Sequence, residues 1–309
     1  MAALSDLTPP PAPSPAQPPP RPLWAERHGD DSPASIAFLV ALWLTLLFAC
    51  SVLAVLLLDA FISGLPRLDG ALFTAYASTI NPDGAGARAA ILGSVWVLGV
   101  TAALVIPLGV AAAVYLEEFA DNQRWYNRLI EANLQNLAAV PAIIYGMLTA
   151  GVALAVGLRR GVVLAGGLAL ALLILPVIII ATREALRAVP SEIRQASLAL
   201  GATPLTTVWR QTLPAAVPGV ATGTILALSR AMGEAAPLLL LGGATFITYD
   251  PDGLLSGFTT LPIQIFGWAG RPQEELRTVA SAAIMVLLVL LLAMNTLAIV
   301  IRNRYQKRW

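Results

Sequence analysis

Charged residues are scarce in this sequence. Lys, Arg, Asp and Glu together account for 12% of its 309 residues, whereas hydrophobic residues account for 57%. Soluble domains carry charge on about a quarter of their residues, so the composition lies outside that class. The net charge of +1 also argues against nucleic acid as a partner, because such binding needs a strongly basic surface. The composition predicts an integral membrane protein.

Reactive side chains are also few. The single cysteine, Cys50, excludes an intrachain disulfide, and with only one histidine, His28, we expect no metal site. The only lysine, Lys307, is followed by Arg308, whereas the phosphate-binding loop of an ATPase needs a glycine-rich turn that ends in Lys-Ser or Lys-Thr. We therefore predict no catalytic residue and no cofactor in this chain.

Long apolar runs are abundant. A helix needs about 20 apolar residues to cross a membrane. Five runs without charge have that length: Ile36–Leu58, Ala89–Leu116, Leu134–Leu158, Gly161–Thr182 and Thr278–Ile301. A sixth run, Leu213–Leu241, qualifies except for Arg230 and Glu234. These runs predict an all-α fold with six transmembrane helices, and prolines such as Pro141 and Pro237 predict kinks within them.

The two ends of the chain differ from the apolar runs. Residues 1–34 are rich in proline and poor in hydrophobic side chains, which predicts a disordered tail before a first transmembrane helix at 35–60. Lys and Arg are about twice as frequent on the side of the membrane that would hold both ends, including the basic tail 303–309. We therefore predict that both termini are cytoplasmic.

One cytoplasmic segment, residues 184–214, is too polar to enter lipid. Its apolar residues recur with helical spacing on either side of Gly201, which suits the left-handed cap of a first short helix. Thr203 and Pro204 then have the composition of a helix start. The pattern predicts a hairpin of two short helices, although similar hairpins also lie on lipid headgroups or read DNA.

The sixth run carries two further patterns. Arg230 and Glu234 are four residues apart, which places them on one face of a helix, either pairing with each other or lining a polar passage. Small residues also recur every fourth position, a spacing that lets another helix of this chain or of a second permease approach closely. The stripe consists of Gly219, Gly223, Ala227, Ala231 and Ala235.

The cytoplasmic segment resembles the coupling loop, named after its Glu-Ala-Ala triplet, of bacterial ABC importer permeases. The matching residues are Gln195-Ala196-Ser197, Gly201 and Leu213-Pro214, although Gln195 and Ser197 depart from the usual Glu and Ala. The resemblance implies a type I importer fold over residues 88–302. It also implies that the loop, including Glu192, docks on a partner ATPase, which would bind the ATP and Mg²⁺.

Two further stretches, SRAMGEAAPLLL from Ser229 and TTLPIQIFGWAGRPQEE from Thr259, resemble permease subunits of bacterial phosphate importers. That resemblance implies a phosphate permease of the bacterial inner membrane, with Arg230, Glu234 and Arg183 along the substrate pathway. The implied partners are a homologous permease, two copies of the ATPase, an external phosphate-binding protein and membrane lipid. Other oxyanions such as sulfate, molybdate or phosphonate, and a membrane scaffold without transport, remain alternatives.

Overall fold

The apolar runs form helices. The computed structural model describes residues 33–121 and 123–305, so most of the proline-rich tail and the last four residues lie outside the described part. The helices are α1 (Pro33–Gly64), α2 (Gly70–Thr74), α3 (Arg88–Val114), α4 (Trp125–Ala138), α5 (Ala142–Ala155), α6 (Val163–Arg187), α7 (Ser191–Ala199), α8 (Pro204–Thr207), α9 (Leu213–Met232), α10 (Ala236–Leu241), α11 (Leu261–Ala269) and α12 (Glu274–Tyr305). The predicted all-helical membrane fold is confirmed.

The chain divides into two compact units, of which the first ends at Leu56. Within the described residues this unit consists of the part of α1 up to Leu56, and large apolar side chains such as Leu47 and Phe48 are exposed on it. Exposed apolar surface of this length suits a lipid environment. The predicted first transmembrane helix at 35–60 lies within α1, which begins two residues inside the predicted tail.

The second unit holds the remaining helices, and α6 lies at its centre. In the most apolar stretch of α6, 67% of the residues are buried, and the helix packs against α3, α5 and α9. Close approach to α3 depends on two glycines: a β-carbon on Gly109 would lie 2.7 Å from Ile178, and one on Gly167 would lie 2.4 Å from Val100. Small residues therefore allow tight helix packing here, as is usual in membrane proteins.

The third predicted span is not one straight helix. Residues 134–158 are divided between α4 and α5, which meet at an angle of 109°. Pro141, immediately before α5, excludes a continuous helix because it has no backbone N–H to donate and disfavours a helical conformation for Val140. The hydroxyl of Tyr145 donates to the carbonyl of Leu137 at 2.8 Å and so connects the two helices across the bend.

The bend also changes the count of spans. Among the described residues, five helices are long and apolar enough to cross a membrane, and the bent pair makes a sixth if it is counted as one span. With 14 residues, α5 is about 21 Å long, less than the roughly 30 Å of a hydrocarbon core. The predicted last span is confirmed in α12, which continues to Tyr305, so the first residues of the predicted basic tail are helical.

Candidate functional site

The two charges of the sixth apolar run lie where its helix ends. Helix α9 ends at Met232, and α10 begins only at Ala236. Pro237 explains the break, because in a continuous helix its ring would clash with the carbonyl group of residue 233. Arg230 therefore lies in the last turn of α9, and Glu234 lies in the break. Glu234 thus lies just outside the helix, and its side chain remains next to that of Arg230.

Arg230 and Glu234 form only a loose pair. Nε of Arg230 lies 4.0 Å from Oε1 of Glu234, which is too far for a hydrogen bond. The side chain of Arg230 is 57% exposed and that of Glu234 is 26% exposed. Within the described ranges, the guanidinium group of Arg230 donates no hydrogen bond to the protein. Its donors are thus available to another partner.

Arg230 lies on a face of α9 that the second unit leaves uncovered. Leu226, one turn before Arg230 on this face, is 52% exposed. The neighbouring face is buried against the core of the bundle through Ala227, Leu228 and Ala231. An arginine facing lipid within a membrane span costs up to about 2.5–3.5 kcal/mol, the value at a helix centre, so this face favours water or another protein next to it.

The stripe of small residues packs within this chain. A β-carbon added to Gly219 would lie 2.7 Å from the β-carbon of Ala185 on α6, and one added to Gly223 would lie 2.6 Å from that of Ala181. These glycines allow α9 to approach α6 closely. The last residue of the predicted stripe, Ala235, lies in the break after α9 and is not part of the helix.

The coupling segment is helical, but its second half differs from the prediction. Gly201 has a positive φ of 82°, as expected for the cap after α7, and the Thr203 side chain accepts a hydrogen bond from the backbone of Thr206. Helix α8 then continues through a π-helical turn, residues 208–212, directly into α9. Leu213 and Pro214 therefore belong to the start of α9 and do not close a separate hairpin.

The surface of this segment is partly apolar. A groove of about 660 Å³ is lined by Ile193, Ala196, Ser197, Leu200, Ala202, Thr206, Arg210, Gln211, Pro214 and Ala215. Leu200 and Trp209 are 90% and 62% exposed, respectively. Glu192 and Gln195 are also exposed, whereas Ser197 forms a hydrogen bond of 2.8 Å with Thr207. An exposed apolar surface of this kind is typical of a protein interaction site.

Arg183 lies far along α6 in an ionic cluster at the other end of the unit. Its Nε donates to Glu117 at 3.0 Å, and its Nη2 donates to Glu131 at 3.0 Å. The side chain is only 9% exposed. Its donors are thus bound to two carboxylates, so Arg183 helps to hold the helices of the bundle together. That Arg183 also lies along a substrate pathway stays a prediction.

Sequence reasoning missed the partners in this cluster. Glu118 binds Arg194 of α7 at 2.7 Å, and at the opposite end of α3, Arg88 forms a bidentate pair with Asp250. The sequence signal was two adjacent glutamates at the end of an apolar run, followed much later by the arginines. Only the packing of α3 against α6 brings these charges together, and that contact cannot be inferred from the spacing of the residues in the sequence.

Comparison with known proteins defines the class of this chain. Residues 105–308 match the family described as "Binding-protein-dependent transport system inner membrane component". This match covers the coupling segment and the break that contains Arg230 and Glu234. The chain therefore belongs to this family of multi-pass membrane proteins, and it is a permease of the ABC importer type.

Individual relatives narrow the class. The chain is 32% identical over 261 residues to the phosphate transport system permease protein PstA of Yersinia pestis, covering 83% of this chain and 86% of that protein. It is 33% identical to PstA 1 of Mycobacterium tuberculosis H37Rv over 70% of each chain. It is also 34% identical to the probable ABC transporter permease protein YqgI of Bacillus subtilis, covering 73% of this chain and 76% of that protein.

A solved structure supports the fold. The inward-facing MetNI methionine ABC transporter contains a chain that matches with a TM-score of 0.54 at 22% identity, covering 70% of this chain and 95% of that chain. At this level of identity the match concerns architecture alone. It agrees with the predicted type I importer permease fold.

Proposed function

We propose that this chain is the permease subunit of an importer that carries inorganic phosphate into the cell. The observation that supports this most directly is the position of Arg230. Its guanidinium group is not hydrogen-bonded within the described residues, lies on a face that its own bundle leaves uncovered, and is next to a break in a membrane helix. A planar group with several donors is well suited to bind the oxygens of an oxyanion.

In this proposal Glu234 discriminates between phosphate and sulfate. Near neutral pH phosphate keeps at least one proton, whereas sulfate keeps none. An ionised carboxylate beside Arg230 would accept a hydrogen bond from protonated phosphate and would repel fully deprotonated sulfate. The 4.0 Å separation between the two side chains leaves both groups able to contact a bound anion.

Partners complete the proposed transporter. The names of PstA relatives and the exposed apolar surface around Leu200 and Trp209 support a complex with a second permease, two copies of an ATPase and an extracytoplasmic phosphate-binding protein. In this proposal ATP and Mg²⁺ bind to the ATPase. Movement of the ATPase then displaces α7, and through it the rest of the permease. Phosphate then moves by alternating access, and the uncovered face of α9 borders the pathway next to the second permease.

Transport by reconstituted vesicles tests the proposal. The permease, co-expressed with these partners, is placed in proteoliposomes with ATP, and uptake of labelled phosphate is measured with and without competing sulfate. We expect phosphate uptake that requires ATP and that excess sulfate does not inhibit. Uptake of sulfate or molybdate in place of phosphate would contradict the assigned substrate.

A second arm addresses the alternative of a scaffold without transport. The same vesicles are tested for any movement of phosphate, sulfate, molybdate or phosphonate. Association of the permease with partners but no flux of any oxyanion would contradict a transport role.

A further inference from the structure

Two adjacent carboxylates connect three helices at the end of α3. Glu117 and Glu118 lie in a π-helical turn, Tyr115–Phe119, that follows α3. Glu117 accepts hydrogen bonds from the two arginines near the end of α6, whereas Glu118 accepts them from Arg194 on α7. The turn therefore binds both the central helix and the coupling helix.

Arg194 uses its whole guanidinium group in this contact. Its Nη2 lies 2.7 Å from Oε1 of Glu118, and its Nε lies 3.2 and 3.3 Å from the two carboxylate oxygens. The guanidinium also donates to the carbonyl oxygens of Leu186 and Val189, each at 2.8 Å. Leu186 lies in the last turn of α6 and Val189 just after it, where backbone acceptors lack the usual helical partners. One side chain thus joins α7 to both α3 and α6.

Apolar packing holds α7 mainly through Ile193, which packs against a small apolar cluster between the end of α6 and the start of α9. No residue of α7 is buried, whereas the side chains of Arg194 and Glu118 are only 23% and 10% exposed. The hydrogen bond between Ser197 and Thr207 connects α7 to the end of α8. The ionic contact is therefore the principal link between α7 and the end of α3.

We propose that the pair of Glu118 and Arg194 is the joint through which displacement of α7 is passed to α3. This inference rests on the proposed function, in which a partner ATPase moves α7. An ion pair with one contact of 2.7 Å and two of 3.2 and 3.3 Å resists both sliding and rotation, because each movement would lengthen at least one of them. Arg194 and Glu118 are thus positioning residues for the transport cycle and do not contact the substrate.

A matched control lies nearby. Glu184 and Arg187 also form an ion pair, but their separation is 3.4 Å and their side chains are 66% and 47% exposed. Both of these residues are on α6, so their pair joins no two helices. Replacing Glu184 with glutamine removes the same charge as the corresponding change at Glu118 without breaking a contact between helices.

Coupling measurements provide the first test. In proteoliposomes, Glu118→Gln should leave assembly of the complex unchanged and lower phosphate uptake per ATP hydrolysed by about tenfold, which corresponds to losing one charged hydrogen bond. Arg194→Lys should have a similar effect, because an ammonium group cannot replace the planar fork. Glu184→Gln should behave like the wild type. Unchanged coupling in Glu118→Gln, or uptake that falls only in proportion to the amount of complex, would overturn the proposal.

A second test does not depend on the substrate. Leu108 on α3 and Leu198 on α7 are both exposed and can carry spin labels after Cys50 is replaced. The distance between the labels should have a narrow distribution in the wild type and in Glu184→Gln, and a broad one in Glu118→Gln. Equal distance distributions in all three proteins would contradict the role of Glu118 and Arg194 as a joint. Failure of phosphate uptake by the wild type would contradict the proposed function alone.

Discussion

Two groups of charged residues in this chain differ in how completely their hydrogen bonds are satisfied. At the ends of α3 and α6, Arg183 and Arg194 bind carboxylates at 3.0 Å or less. At the end of α9, Arg230 lies 4.0 Å from its only carboxylate neighbour within the described residues and is 57% exposed. An arginine whose donors are occupied holds helices together, whereas one whose donors are free can bind a ligand.

The helix geometry explains this difference. The satisfied group forms where four helices converge, so carboxylates from the turn after α3 and from α4 reach the arginines of α6 and α7. Arg230 is one residue away from the buried face of α9, and its carboxylate neighbour is displaced because Pro237 ends the helix. A single proline thus separates a possible ion pair into two groups that can act on a substrate.

The largest effect is expected at Arg230. Arg230→Ala should lower phosphate uptake by about 100-fold or more, because two charged hydrogen bonds to the anion are lost. Arg230→Lys should restore little, because a lysine cannot form the planar fork. Phosphate uptake is measured for both variants in proteoliposomes, with Arg302→Ala at the exposed end of α12 as the control. Normal uptake by Arg230→Ala would remove Arg230 from the pathway.

Replacing Arg183 should lower the stability of the permease and not its transport. Arg183→Gln breaks contacts with Glu117 and Glu131 and should destabilise the permease by about 1–3 kcal/mol. Uptake per folded molecule should remain close to that of the wild type, which thermal unfolding and transport measured on the same preparation would reveal. Normal stability combined with lost uptake would instead assign Arg183 to the substrate pathway.

Packing between α9 and α6 gives a third prediction. Gly223→Leu should overpack the contact with Ala181 and cost about 1–3 kcal/mol of stability. The substituted chain should yield less folded permease, whereas Gly151→Leu, at a glycine with open space around its β-carbon, should not. Equal melting temperatures for the two variants would contradict the packing of the stripe within the chain.

The smallest effect is expected at the cap of α7. Gly201→Val places a β-branched residue at a φ of 82°, which costs about 1–2 kcal/mol and should misalign α7 with α8. Transport should fall while membrane insertion remains normal. Gly253→Val, at a loop glycine with open space and no positive φ, is the matched control. Equal uptake and equal ATPase stimulation in the two variants would contradict a coupling role for this cap.

Much of the fold was predictable from the sequence, because long apolar runs encode membrane helices directly. Gly201 and Thr203 were also predictable, since a left-handed cap and an N-cap are set by local chemistry. The breaks after Met232 and before Pro141 were harder to predict. A proline within a run indicates a kink, but whether the helix bends or ends depends on the neighbouring helices.

The candidate site was predictable in composition but not in geometry. Arg230 and Glu234 stand out because charge is rare in an apolar run, yet their separation follows from the break at Pro237. The joint between Glu118 and Arg194 was not predictable, because 76 positions separate its two residues along the chain. Its formation depends on tertiary packing.

Flux through the double variant Arg230→Ala/Glu234→Ala tests the central claim most directly. If the two residues bind phosphate, the double variant in proteoliposomes should transport no better than Arg230→Ala alone, because the guanidinium group is lost in both. If they chiefly neutralise each other, removing both charges should restore transport. Normal flux in the double variant, or flux clearly above that of Arg230→Ala, would contradict a substrate role for Arg230.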